Sequence, residues 1–566
     1  MNEFTDRLRA AIAEATGLAP DDVKLERPRD ASMGDLAFPC FPLAKTLRKA
    51  PPKIAAELAE RLAQPDISVV ATGPYLNFRI ERGALARSVV GAVLRAGNAY
   101  GGSDEGAGKT IVIDFSSPNI AKPMHVGHLR STILGAAIKR LHDHLGYRTV
   151  GINHLGDWGS QFGKLIAALE RWGDTVDLEA EPIRALLALY VRYHEESDAD
   201  PSLEARAREA FRELESGEEG DVRATWRRLT ELSLREFQRV YDRLGVSFDH
   251  FRGEAWYEDK LDATVDRIVA AGVTDMSDGA LIVDLEAQLG EGSPPCLLRK
   301  SDGTTLYATR DLAALFSRFV EFEFERCLYV VGSEQRLHFR QLKAVLERMG
   351  LDWEPRVEHV DFGLLRLAEG RLSTREGKVI FLDELLDRAR AEALAVIAAK
   401  NPELPNKEEI AEQVGIGAVI FHDLKKERVK DVVFDWQEVL SFSGDTGPYC
   451  QWTHARLGSI VAKGEAAGFA AEAEFDAALL ADADQLLLAM GGFGGVVRQA
   501  AREAEPSVLA SWVADFAREV NRWYVDHRVV SEDEALSRAR LALVRAAAIV
   551  INTSLGLLGV AAPARM

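Results

Sequence analysis

Apolar residues follow three different rhythms along this chain, and the rhythms divide it. Over residues 1–82 a first helical repeat leads to a strand pair around "ISVVATGPYLNFRI" (67–80), which predicts a small α+β module. A polar, Gly-rich link, "GNAYGGSDEGAGKT" (97–110), separates it from the next region. There the pattern becomes strand, loop, helix, strand. "TIVIDFS" (110–116) is a buried-strand run, "VGHLRSTILGAAIKRLHDHLG" (126–146) has helical spacing, and "RTVGINHLGDWG" (148–159) is a second strand with its loop. Further strands are expected at "RCLYVVGS" (326–333) and "RVEHVDFGLL" (356–365). Strands alternating with helices predict an α/β region with a doubly wound, Rossmann-like parallel sheet over 105–385. The Glu- and Arg-rich helical stretch at about 162–260 reads as an insertion into it. Beyond 385 the period is helical with no strand-like alternation, giving a connector (386–445) and an all-α C-terminal domain (446–566).

Composition narrows the classes. At 566 residues the chain exceeds one ordinary core, so three to four domains are expected. The four cysteines (Cys40, Cys296, Cys327, Cys450) lie far apart with no CxxC pair, which argues against a disulfide framework or cysteine zinc site and for a reducing compartment. The N-terminus lacks a signal-peptide apolar core. The uncharged stretch 546–564 is long enough to span a membrane. Its Asn552, Thr553, Ser554 and Pro563 make it weakly hydrophobic, so a buried C-terminal helix is the expectation. A cytoplasmic protein without membrane contact follows. The net charge of −19 argues against a blanket nucleic-acid binder, while local basic runs such as "HDLKKERVK" (422–430) leave RNA binding open.

Two motifs invite a phosphate reading. "GAGKT" (106–110) imitates the end of a GxxxxGK[ST] loop, but the first glycine is replaced by Ser103 and a strand follows where a helix should start, so Lys109 is read as solvated. "AKPMHVGHLRS" (121–131) is different. Its His-x-x-His pair lacks an obvious third ligand and the HExxH pattern is absent, which disfavours metal. The pair sits where a strand ends and a helix begins, the ligand edge of an open parallel sheet. There His125 and His128 can donate to phosphate oxygens, and Gly127 leaves room for a nucleotide ring against the backbone. Two surface histidines capping a helix are the bland alternative.

HVGH resembles the HIGH motif of class I aminoacyl-tRNA synthetases. "SSPNIAKPMHVGHLRST", "NHLGDWGSQFGKLI", "LYATRDLAAL", "YVVGSEQRLHF" and "DTGPYCQWTHARL", in that order, resemble arginyl-tRNA synthetases over nearly the whole chain. The resemblance implies ATP-dependent ligation of L-arginine to tRNA(Arg) through an arginyl-adenylate. ATP with Mg²⁺ is the co-substrate, with no zinc or organic cofactor, and a monomer is expected. It also implies that bound tRNA is required before arginine is activated. No proofreading domain is apparent, and a guanidinium site discriminates without one, because a wrong side chain strands its buried polar groups.

The same resemblance assigns residues. A guanidinium substrate needs a carboxylate and an aromatic face, and Tyr307 and Asp311, four apart, offer both on one side of a helix. By carry-over, Asp114 and Asn119 hold the amino acid's α-amino end and backbone, Gln335 is a further substrate contact, and His154 lies beside the adenylate. Class I enzymes usually carry a KMSKS loop. Here "RLSTR" (371–375) takes its place, with Ser373 and Arg375 as ATP contacts and Thr374 where the second lysine belongs. Lys122 is the expected replacement for that charge, with weaker support from Arg371, Arg375 and Lys378. Tyr449, with Trp452 and Trp523 as exposed aromatics, is expected to stack on anticodon bases, and Tyr75, Asn77 and Phe78 to contact tRNA from the N-terminal module. Two rivals stand beside this reading. One is another HxGH nucleotidyltransferase, which leaves Tyr307 and Asp311 unexplained. The other is a non-enzymatic RNA-binding paralogue, against which the intact HVGH, Asp114 and Asp311 argue.

Overall fold

A computed structural model of the chain describes residues 2–28, 30–62, 64–367, 381–469 and 474–566. In the N-terminal module, β1 (Leu36–Pro39), β2 (Ile67–Thr72) and β3 (Tyr75–Ile80) form an antiparallel sheet in the order β1-β3-β2. β1 was not anticipated by the periodicity. Leu36, Ala37 and Phe38 are all buried, so the strand shows a short apolar run rather than alternation.

The central sheet contains β4 (Thr110–Asp114), β5 (Arg148–Asn153), β6 (His250–Phe251), β10 (Arg326–Tyr329) and β11 (Val357–His359), in the order β11-β10-β4-β5-β6. Every pairing is parallel, as the alternating pattern predicts. From β4 the chain winds one way to β5 and β6, then returns to the other side for β10 and β11. The carboxyl ends of β4 and β10 therefore flank the switch point where open α/β sheets bind ligands. The insertion is helical, with helices Pro182–Ser197, Pro201–Glu215 and Asp221–Leu244.

Two sheets were not expected. β7 (Asp275–Ser277), β8 (Ala280–Val283) and β9 (Cys296–Arg299) form an antiparallel sheet. The β7–β8 turn is Asp278-Gly279, with φ of 48° and 80°, the conformation that a two-residue hairpin demands. β12 (Leu365–Leu367) pairs in parallel with β13 (Val432–Phe434), which corrects the expectation that no strand follows residue 385.

Helices Gly447–Ala466, Asp484–Arg502, Ser507–Asp526 and Glu534–Leu558 make the C-terminal domain. The apolar C-terminal stretch is a packed helix: Ala546, Ala547, Val550, Ile551, Leu555 and Leu558 are all buried in the core. Arg130, on the helix after HVGH, is 1% exposed and pairs with the 2%-exposed Asp423 at 2.9 Å. It also donates to the carbonyls of Gly363 and Lys430, at 2.6 and 3.0 Å, which ties the helix Val126–His144 to the connector and to the β12–β13 pair.

Candidate active site

The loop from β4 into the helix Val126–His144 is strained. Ser116, Ser117 and Ala121 have φ of 74°, 50° and 62°, a left-handed region costly to residues with a Cβ. Hydrogen bonds hold it there: Ser116 N donates to Ser131 Oγ (2.9 Å), Ser117 N to Asn153 Oδ1 (3.1 Å) and Ala121 N to Ser233 Oγ (2.9 Å).

At the loop's end His125 caps the helix. Gly127 N donates to His125 Nδ1 at 3.0 Å, and His125 N donates to His128 Nδ1 at 3.1 Å. A neutral imidazole that accepts at Nδ1 carries its proton on Nε2, so each ring keeps one N–H donor to offer. Burial pushes His128 down to about 3 and lowers His125 below its ordinary value, so both are neutral near pH 7. Two neutral donors with ring centroids 4.1 Å apart at a helix N-terminus suit phosphate oxygens. Among the described residues, no group of three or more His, Cys, Asp or Glu is arranged to hold a metal ion.

A second cluster lies at the switch point. Asp114, His154, Tyr307, Asp311 and Gln335 line one cleft of about 260 Å³. Tyr307 and Asp311 share the first turns of the helix Tyr307–Phe322. His338 Nε2 lies 2.6 Å from Asp311 Oδ2, and the His338 ring lies 4.8 Å from that of Tyr307. Asn119 is exposed and lies outside this lining. Lys122 is half-buried, its Nζ 5.9 Å from the ring of Tyr190 on the insertion helix Pro182–Ser197. Ser373 and Arg375, with Arg371, Thr374 and Lys378, lie outside the described residues. The first described residue after that stretch, Phe381, bridges to His125, and Leu382 N donates to Met124 O at 2.9 Å.

Two residues at the site, Arg318 and Glu254, had no signal in the sequence. Arg318 is fully buried and pairs with Asp114 Oδ2 at 2.7 Å, while Ser117 Oγ donates to Asp114 Oδ1 at 3.1 Å. Asp114 is thus already committed to an internal cation, which leaves Asp311 as the more open carboxylate. Glu254 also lines the cleft. Burial pushes its carboxyl up to about 7, with Asp157, Asp311 and Glu258 adding and Arg310 opposing.

The family model for the class I (R) tRNA synthetase catalytic domain matches residues 89–436. The chain belongs to the arginyl-tRNA synthetases. Models for the arginyl tRNA synthetase N-terminal domain and the DALR anticodon binding domain match residues 2–80 and 450–566 of this synthetase. It is similar to the arginine–tRNA ligase of Exiguobacterium sibiricum, 46% identical over 100% of this chain and 99% of the relative. The corresponding ligase of Alkaliphilus metalliredigens is 45% identical over 96% and 95%. The solved arginyl-tRNA synthetase of Thermus thermophilus aligns over 100% of both chains with a TM-score of 0.84 at 27% identity.

The synthetase's RNA-facing candidates divide by exposure. Asn77 is 5% exposed and Phe78 is buried, so neither offers a surface contact. Tyr75 is partly exposed, edge-on to the exposed Phe41 at 5.8 Å. The exposure expected for Trp523 is corrected: it is buried and stacks on His527 at 4.9 Å. Trp452 is exposed, and Tyr449 is half-buried with its hydroxyl accepting from Asn521 Nδ2 at 3.0 Å.

Gly127 carries a specific prediction. A Cβ there meets His125 Cε1 at 2.7 Å and Nδ1 at 2.9 Å, although the residue is otherwise exposed. Gly127→Ala is expected to turn His125 out of its cap and lower ATP–pyrophosphate exchange about 10- to 100-fold. The melting midpoint should stay within about 2 °C, since alanine favours the helix. Unchanged exchange would show that the His125 orientation is irrelevant.

Proposed function

We propose that the enzyme ligates L-arginine to tRNA(Arg) in two steps and that the two halves of the site divide the work. In the cleft, Asp311 pairs with the guanidinium, Tyr307 lies against it, and Glu254 and Gln335 complete the pocket. The turn bearing Ser117 and Asn119, with Asp114 held by Arg318, fixes the α-amino end. At the helix mouth, His125 and His128 donate from Nε2 to ATP phosphates, Gly127 leaves the backbone open to the nucleotide, and His154 borders the adenylate.

In the first step the arginine carboxylate attacks the α-phosphorus, a P–O bond forms, and pyrophosphate leaves. The attacking group is already anionic, so no general base is needed, and catalysis reduces to positioning and charge stabilisation. In the second step the terminal ribose hydroxyl of tRNA takes the arginyl group and AMP departs. Mg²⁺ enters with ATP as part of the nucleotide substrate. Tyr75 and Tyr449 remain as tRNA contacts. The enzyme acts in the cytoplasm, a reading that the four free, buried cysteines support because they fit a reducing compartment.

The observation that carries this reading is one sheet edge bearing both a carboxylate-lined cleft and a pair of Nε2 donors. ATP–pyrophosphate exchange with each of the twenty amino acids, with and without tRNA, tests it. Exchange with arginine, dependent on tRNA, is expected. Exchange with another amino acid, or none with any, contradicts it.

Glu254 adds a pH signature. A carboxyl at about 7 is largely protonated below that pH, and only its ionised form attracts a guanidinium. Arginine binding should therefore weaken as pH falls through 7, with KM for arginine rising about tenfold per unit in the limit. Glu254→Gln should keep KM high and flatten the profile between pH 6 and 8. Parallel profiles for the two proteins would remove Glu254 from the pocket's chemistry.

A further inference from the structure

The insertion helix Asp221–Leu244 reaches the strained turn at two points. Ser233 Oγ accepts from Ala121 N at 2.9 Å, and the Tyr241 hydroxyl lies 2.8 Å from Ser116 Oγ. Tyr241 also accepts from Asn153 Nδ2 at 2.9 Å, while Asn153 Oδ1 holds Ser117 N. Ser116 Oγ continues the chain to Thr132 Oγ1 at 2.8 Å, and that hydroxyl reaches the His128 carbonyl at 2.7 Å. Every group here is buried or nearly so, and burial pushes the Tyr241 phenol up to about 12, so it remains a hydroxyl. Two of the three left-handed residues, Ser116 and Ala121, thus have a side chain of this one helix against them. Such conformations persist only where the surroundings over-determine them.

We propose that Tyr241 and Ser233 are positioning residues for the adenylate step: they hold the 116–121 turn in the conformation that presents Ser117 and Asn119 to arginine. The insertion, outside the Rossmann-like core, is then part of the active site's scaffold. This rests on the assignment of that turn to the arginine end of the site.

Tyr241→Phe removes one oxygen and keeps the ring packed beside Phe248, 4.9 Å away. In tRNA-dependent ATP–pyrophosphate exchange, kcat/KM for arginine should fall about 10- to 50-fold with a raised KM for arginine. KM for tRNA and ATP should stay within about twofold, and the melting midpoint should drop by no more than about 2 °C. Adding Ser116→Ala, which removes the hydroxyl that Tyr241 faces, should cost clearly less than the product of the two single losses, because both changes act on one contact. Ser233→Ala should act in the same direction as Tyr241→Phe. A loss confined to kcat and tracking the melting shift would make Tyr241 merely structural and overturn the proposal, as would losses that simply multiply in the double variant. Asn119→Ala in the same assay separates the two ideas. If it leaves arginine kinetics unchanged, the assignment of the turn fails and the proposal with it. If it is impaired while Tyr241→Phe behaves as wild type, the positioning role alone fails.

Discussion

Lys122→Ala is expected to slow adenylate formation by about 10²- to 10³-fold while changing the dissociation constant for arginine less than about threefold. On the proposed reading, two neutral histidines stand where negative charge builds on the leaving phosphates. Neutral donors orient those oxygens but supply no net charge. In the sequence, Thr374 of "RLSTR" falls where the family resemblance puts the second lysine of a KMSKS loop. Lys122 lies three residues before His125, half-buried, and among the described residues no carboxylate pairs with it. Its Nζ lies 5.9 Å from the ring of Tyr190, a weak partner compared with a phosphate. The effect should therefore fall on the chemical step. Restoring a cation through Thr374→Lys in the Lys122→Ala background should recover part of the rate. Near-normal exchange in Lys122→Ala would end this account of the altered loop.

Asp311→Asn should be nearly as severe, but in binding. The substitution keeps the shape and removes the charge that a guanidinium needs for paired, charge-assisted hydrogen bonds. Because Asp114 is taken by Arg318, the cleft has no equivalent ionised substitute near pH 7 beyond the half-titrated Glu254. KM for arginine is expected to rise at least about 100-fold, with KM for ATP within about twofold. His338, 2.6 Å from Asp311, should keep the asparagine in place, so the melting curve should scarcely move. Steady-state exchange against arginine concentration checks this, and a KM within threefold of wild type would shift the guanidinium site elsewhere.

Much of this site was legible because it is local. A strand ending at Asp114 and a helix beginning after His125 are both written in the spacing of apolar residues, and HVGH sits between them. Tyr307 and Asp311 are similarly four apart on a real helix. What stayed hidden depends on partners far along the chain. Arg318, within "LFSRFVEF", looks like an ordinary helix-surface arginine until β4 brings Asp114 beside it. Glu254 lies in a short turn with no periodicity, and its displaced pKa comes from burial. β13 is three residues long and is a strand only because β12 pairs with it. Trp523 carries a polar N–H that hints at exposure, but the helix buries it against His527. Asp278-Gly279 is the one missed signal that was present, a two-residue turn flanked by short strands.

The most direct test of the two-part site is a crystal structure of the enzyme bound to a non-hydrolysable arginyl-adenylate analogue. The guanidinium is expected within hydrogen-bond distance of Asp311, with the adenylate phosphate facing Nε2 of His125 or His128 at the mouth of the helix Val126–His144. A guanidinium outside the cleft of Tyr307 and Asp311, or a phosphate out of reach of both imidazoles, would contradict it.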